Sequence, residues 1–123
     1  MGSQKLKGTG VRMKVSELVE KCGFYVLNEG EGSDREIKAP YCCDLLSIAM
    51  GRMPADSAWV TVMGNMNTLA VAALADAACI ILAEGSKLDE QAIQKAKEQG
   101  ITVFATELPI FEATLKIYQE QHA

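Results

Sequence analysis

From residue 58 onward, short apolar runs alternate with longer segments whose apolar positions recur every three or four residues. This pattern predicts three strand-then-helix units: 58–63 into 65–77, 79–82 into 89–99, and 101–105 into 109–119. A helix between two strands carries the chain back to the starting edge of the sheet, so the strands are expected to be parallel. In open sheets of this kind ligands sit just beyond the carboxyl ends of the strands. Three turns then share one edge: Gly64 to Asn67, Ala83 to Ser86, and Thr106 with Glu107.

The pattern before residue 58 is less regular. Ser16 can cap a short helix bearing Leu18, Val19 and Cys22, which Gly23 ends. Residues 24–27 read as a short apolar strand, and 29–34 as a loop punctuated by Gly30 and Gly32. A second strand is expected over 36–41, at an edge because of Pro40. Asp44 is a good N-cap for a helix over 45–50, with Gly51 as its stop. Residues 1–12 are polar and glycine-dotted, and are expected to be a loose tail or a non-native extension. Residues 13–123 then form a single domain.

The helix over 65–77 has almost no polar face. A helix apolar all round is covered on both sides. One side meets the sheet; the other needs the N-terminal helices or a second subunit. By contrast, 89–99 is amphipathic, with Ile93 and Ala96 inward, Leu88 as a staple and Gly100 as the stop. In the last helix Phe111, Leu115 and Tyr118 form one stripe.

Composition narrows the function. Among 123 residues, 49% are hydrophobic and 23% charged, as in an ordinary globular domain, and the net charge is −4. That charge and the scattered basic residues argue against nucleic acid or an anionic membrane as a partner. The sequence as given opens with no apolar leader segment. The four cysteines, Cys22, Cys42, Cys43 and Cys79, have no disulfide-framework spacing, so a reduced, cytoplasmic setting is expected.

Several constellations could carry chemistry, each beside a plainer reading. Gly64 would let the backbone approach a ligand, and Asn65 or Asn67 can cap the next helix, whose free N–H groups favour an anion. A tight capped turn with nothing bound fits equally. Glu84, Gly85 and Ser86 could hydrogen-bond a ribose-like hydroxyl pair, or Glu84 is a solvated carboxylate. Thr106 and Glu107 could bind a ligand, or Thr106 simply caps the last helix. Arg35 could hold a phosphate or a carboxylate, or make an ordinary surface ion pair with an acid. Cys42 and Cys43 precede a helix and could be reactive, although packing residues are the default. Trp59 is expected in the core. No Gly-x-x-x-x-Gly-Lys-Ser/Thr or Gly-x-Gly-x-x-Gly occurs, and the one histidine, His122, is far from any cysteine or serine pairing. No metal set is expected.

The chain resembles the DRTGG domain, the module found beside CBS domains in some pyrophosphatases and within some phosphate acetyltransferases. It is also similar to the N-terminal domain of HPr kinase/phosphorylases. The resemblance covers residues 13–118. It rests on Asp34-Arg35-Glu36-Ile37, Asp44-Leu45-Leu46-Ser47, Ala58-Trp59-Val60-Thr61-Val62, Ala77-Ala78-Cys79-Ile80-Ile81-Leu82-Ala83-Glu84-Gly85, and Thr102-Val103-Phe104-Ala105-Thr106-Glu107 through Phe111-Glu112. The family's Gly-Asp-Arg and Thr-Gly-Gly turns read Gly64-Asn65-Met66 and Ala83-Glu84-Gly85 here, so only Gly64 and Gly85 survive. The resemblance implies a self-pairing regulatory or interaction module, not a kinase, whose P-loop domain this chain lacks.

These readings converge on an α/β domain: a mostly parallel sheet, helices on both faces, and an N-terminal α-β lead-in with an edge strand. The expected function is a non-catalytic regulatory module that forms a homodimer and binds a small anionic ligand such as a nucleotide, with no cofactor. Its expected site is Gly64, Asn65, Asn67, Glu84, Gly85, Ser86, Thr106, Glu107 and Arg35. The alternative is a protein-interaction partner using a methionine-bearing surface near Met50, Met53 and Met66.

Overall fold

The computed structural model describes residues 13–123. The tail expected over 1–12 lies outside the described residues. Strands and helices follow in the order β1 (Met13–Lys14), α1 (Glu17–Cys22), β2 (Tyr25–Asn28), β3 (Glu36–Ile37), β4 (Ala39–Cys42), α2 (Leu46–Arg52), β5 (Ser57–Thr61), α3 (Met66–Ala75), β6 (Cys79–Leu82), α4 (Glu90–Gln99), β7 (Val103–Ala105) and α5 (Ile110–Gln121). The main sheet runs β2-β7-β6-β5-β4, and β1 and β3 form a small antiparallel pair. Strands β4 to β7 are parallel, and β2 joins β7 antiparallel. The α/β class and the three strand-then-helix units are as the sequence pattern predicts.

The sheet register sets the core. Trp59, Ile80 and Val103 stand in one cross-strand row, and Val60, Ile81 and Phe104 in the next. Successive side chains point to opposite faces, so the two rows feed two separate cores. Val60, Ile81 and Phe104 pack with Leu18 and Cys22 of α1 and Ala113 and Ile117 of α5. Trp59, Ile80 and Val103 pack with Ala49 of α2, Leu69 and Ala72 of α3, and Ala92 and Ala96 of α4. Strand order advances in one direction from β4 to β7, so crossovers of one hand put α2, α3 and α4 on the same face. The helices outside the crossovers, α1 and α5, cover the other. Trp59 is fully buried, and its Nε1–H donates to the Cys43 carbonyl at 3.0 Å.

Several local expectations are corrected. The strand expected over 36–41 is two. Glu36 and Ile37 pair with β1, then the Lys38 N–H donates to the Asp56 carbonyl and the chain turns into β4. Pro40 is tolerated because β4 is the outermost parallel strand. Asp44 does not cap α2: Leu45 occupies that position with no side-chain hydrogen bond, and Asp44 Oδ1 accepts from the Thr61 hydroxyl at 3.0 Å. Gly51 lies within α2, which continues to Arg52. Ser16 is at the start of α1 but makes no side-chain cap there. At the C-terminus, the Gln121 amide donates to the Ile37 carbonyl at 2.9 Å, tying the end of α5 to β3.

Ile81 sits at the centre of this arrangement, fully buried in the middle strand between Val60 and Phe104. Ile81→Ala is expected to lower the unfolding free energy by about 2–5 kcal/mol, measured by urea denaturation. A loss below about 1 kcal/mol would contradict the register.

Candidate functional site

The three turns meet at the carboxyl ends of β5, β6 and β7. They are also laced together. The Ala83 N–H donates to the Thr61 carbonyl at 2.9 Å, the Gly85 N–H to Thr106 at 3.0 Å, the Glu84 N–H to Leu108 at 2.8 Å, and the Asp89 N–H to Gly64 at 3.0 Å. Gly64 is required by contact: a Cβ there would strike the Lys87 carbonyl. Gly85 is required by conformation as well, with φ +70° and Glu107 Oε1 2.7 Å from where its Cβ would stand. Glu84 also has positive φ (62°), an unfavourable state for a residue with a Cβ.

The helix N-termini at this edge are already served by the chain's own side chains. Asn65 Oδ1 accepts from the Thr68 N–H at 3.1 Å, Asp89 Oδ1 from Ala92 at 2.8 Å, and Glu84 Oε2 from Ile110 at 3.2 Å. Glu84 therefore closes the start of α5 from a neighbouring loop, and helps hold its own left-handed backbone. The cap expected from Thr106 is not made. Pro109 stands at the N-cap, while the buried Thr106 hydroxyl accepts from the Leu108 N–H at 3.2 Å.

Beside this lacework lies a hollow of about 340 Å³ between β2, β7 and α4. Leu27, Leu88, Ile93 and Ala105 give it an apolar lining, with Ser86, Lys87 and Glu107 as its polar groups. Tyr25 stands at its wall, half-exposed, and its hydroxyl donates to Glu107 Oε2 at 3.0 Å. That hydrogen bond, with minor help from desolvation and the carboxylate's charge, raises the Tyr25 pKa above its ordinary value.

Of the residues expected at a site, Gly85, Ser86 and Glu107 line this hollow. Gly64, Asn65 and Glu84 belong to the hydrogen-bonded turns around it, and Thr106 is buried behind it. Asn67 faces elsewhere, lining a groove between α2 and α3. Arg35 is at the opposite end of the sheet. Its Nε donates to Asp56 Oδ1 at 2.7 Å and its terminal nitrogens to the Ala77 and Asp76 carbonyls, with Asp76 Oδ1 at 3.0 Å. The ion-pair reading holds for Arg35. Tyr25, Leu27, Lys87, Leu88 and Ile93 were not anticipated at the site. Two of them come from β2, whose pairing with β7 across roughly eighty residues leaves no local signal.

The thiols divide sharply. Cys79 is fully buried and desolvation pushes its pKa far up. Burial, aided by the Glu120 charge, pushes Cys22 up to about 11. Cys42 is exposed at the end of the edge strand, not a packing residue, whereas Cys43 is half-buried against the α2–α4 core with its thiol directed at the Leu45 carbonyl. Among the described residues no group of His, Cys, Asp and Glu is placed to hold a metal ion. No helix among them is long and apolar enough to cross a membrane. Met53, expected on the methionine-bearing surface, is buried.

A parallel α/β module with laced turns, carrying its hollow against an antiparallel edge strand, is the class that these features define. The DRTGG domain profile matches residues 17–119, and the chain belongs to the DRTGG domain family. A search of curated proteins returns no match. Among solved structures the chain is similar to the CBS and DRTGG domains of the regulatory region of Clostridium perfringens pyrophosphatase, solved in complex with its activator, diadenosine tetraphosphate. The two align with a TM-score of 0.72 at 14% identity, over 98% of this chain and 51% of that one. This chain thus spans about half the length of that region.

Two measurements check the site. Gly85→Ala is expected to cost about 1–2 kcal/mol in thermal denaturation, from the left-handed backbone alone. It is also expected to displace Glu107, so that Tyr25 ionises at lower pH in ultraviolet titration; an unchanged titration would contradict the contact. Alkylation of the folded protein near neutral pH is expected to modify Cys42 first and to spare Cys22 and Cys79 until denaturant is added. Because Cys22 titrates at about 11 when folded and near ~8.5 when unfolded, its contribution to stability is complete below the lower value. It is lost as pH rises through the upper one.

Proposed function

We propose that the chain is a non-catalytic regulatory module that forms a homodimer and binds a small anionic ligand, a nucleotide, at the carboxyl ends of its parallel strands. The observation that carries the ligand reading is the Tyr25 ring, half-exposed at the wall of an otherwise apolar hollow and fixed by its hydrogen bond to Glu107. An exposed, oriented aromatic ring beside apolar side chains suits a planar base. Glu107 and the Ser86 hydroxyl can pair with ribose hydroxyls or an exocyclic amine, and Lys87 is the cation nearest to hand for a phosphate.

The electrostatics orient such a ligand. Asp89 and Glu84 already occupy helix N-termini at this edge, so a phosphate there would meet carboxylates in place of free N–H groups. The base therefore enters and the phosphates point outward past Lys87. The regulatory part of the reading draws on the family and on the pyrophosphatase regulatory region, whose activator is a nucleotide. The non-catalytic part draws on the sequence, which has neither a P-loop motif nor a histidine near any nucleophile. A cytoplasmic setting belongs to the same reading, through the unpaired cysteines.

Thermal denaturation with ATP or diadenosine tetraphosphate at about 1 mM tests the ligand. A ligand at about 100 times its Kd stabilises by about 2.7 kcal/mol, a rise of several degrees in Tm. Tyr25→Ala is expected to weaken binding tenfold or more, since base stacking on an aromatic ring contributes about 1–3 kcal/mol. No shift with either nucleotide would contradict the ligand reading.

A further inference from the structure

Few groups in the hollow beside Tyr25 are free to read a base. The Gly85 N–H is spent on the Thr106 carbonyl at 3.0 Å, and the Ser86 N–H on the Ala83 carbonyl at 3.1 Å. The Tyr25 hydroxyl is spent on Glu107 Oε2. Of the side chains that line the hollow, Glu107 alone accepts without being able to donate. Its carboxylate is positioned from two sides. The Tyr25 hydroxyl holds Oε2 at 3.0 Å, and Oε1 lies 2.7 Å from where a Gly85 side chain would begin, so that glycine is what gives it room. An ionised carboxylate has about four lone-pair sites. Tyr25 fills one, and both oxygens can still accept. The same hydrogen bond sets the carboxylate at the tip of the tyrosine ring, so a base stacked on that ring has an edge beside Glu107.

We infer that the hollow selects guanine over the other bases, and that Glu107 makes the selection, held in place by Tyr25. The inference rests on the nucleotide reading above and names its base. Two acceptors side by side are matched by two donors side by side. Among the common bases guanine alone presents that pair, its N1–H next to its 2-amino group. Adenine and cytosine set an amino group beside a ring nitrogen that carries a lone pair, and uracil sets a single N–H between two carbonyls. Against Glu107 each of these makes one hydrogen bond and turns a lone pair toward the second oxygen. That position loses a bond and meets repulsion. The Ser86 hydroxyl, which also lines the hollow, can donate to the 6-oxygen of guanine, and Lys87 stays with the phosphates. The pyrophosphatase region with its diadenosine activator is 14% identical to this chain and so does not set the base here.

Calorimetric titration of the whole chain with GTP, ITP and ATP tests the inference, because the three share a triphosphate and differ in the base. GTP is expected to bind about 10- to 100-fold tighter than ATP, the discrimination of one bidentate base contact. ITP keeps the N1–H and lacks the 2-amino group, and is expected to fall between them. Glu107→Gln puts an acceptor beside a donor, the match for adenine. It is expected to weaken GTP and leave ATP at its wild-type affinity or better, so that the preference disappears. Tyr25→Phe keeps the ring and removes the hydroxyl that holds the carboxylate. It is expected to cut the preference severalfold with little change for ATP, as a positioning role requires. Both variants are read as a ratio of two ligands on one sample, and the wild-type series needs no variant. Equal affinity for GTP and ATP, or tighter ATP, overturns the inference and leaves the nucleotide reading standing. A preference for GTP that Glu107→Gln leaves intact overturns the role of Glu107. Binding of none of the three overturns both readings.

Discussion

Backbone hydrogen bonds between β5, β6 and β7 hold Trp59, Ile80 and Val103 in one row and Val60, Ile81 and Phe104 in another. That registration is the constraint on which the molecule depends. It divides the apolar residues between two cores, and it brings the strand ends level. A slip of one residue would exchange the faces and put Trp59 where α5 packs. With the strand ends level, the three turns come within hydrogen-bonding distance, and each then supports another. Glu84 illustrates the economy of this edge: its backbone is left-handed, its N–H is held by Leu108, and its carboxylate closes α5.

The same lacing determines what the edge can accept. Helix N-termini attract anions through unpaired N–H groups, but here an amide and two carboxylates of the chain's own have taken those places. The room for a ligand is displaced sideways, into the hollow between α4 and the antiparallel strand β2. Its walls are apolar and its polar groups few. That composition suits the flat, hydrogen-bonding end of a nucleotide better than its phosphates.

The two sheet faces are covered unequally. Three crossover helices share one face because the strand order never reverses. Helix α3, in the middle of the three, is flanked by α2 and α4, and no other element among the described residues roofs it. An amphipathic helix would leave a polar outer stripe there, as α4 does. An uncharged helix with Leu74 outward leaves apolar surface there instead.

The order and period of apolar residues after residue 58 were enough to determine the parallel βαβ run, the two-sided core and the meeting of the turns, because strand and helix periods are local properties. The apolar outer side of α3 was legible too, from ten residues without a charge, but that the N-terminal helix α1 packs on the other face of the sheet was not. Local pattern could not place what depends on distant pairing. Only the tertiary structure set β2 antiparallel against β7, which puts Tyr25 beside Glu107. It alone carried Arg35 to the far end of the sheet, between Asp56 and Asp76. It also took the cap of α2 away from Asp44, by offering Thr61 as a partner, and gave that of α5 to Glu84. Each of these is a contest between polar partners far apart in sequence, decided by which of them the packed sheet brings into reach.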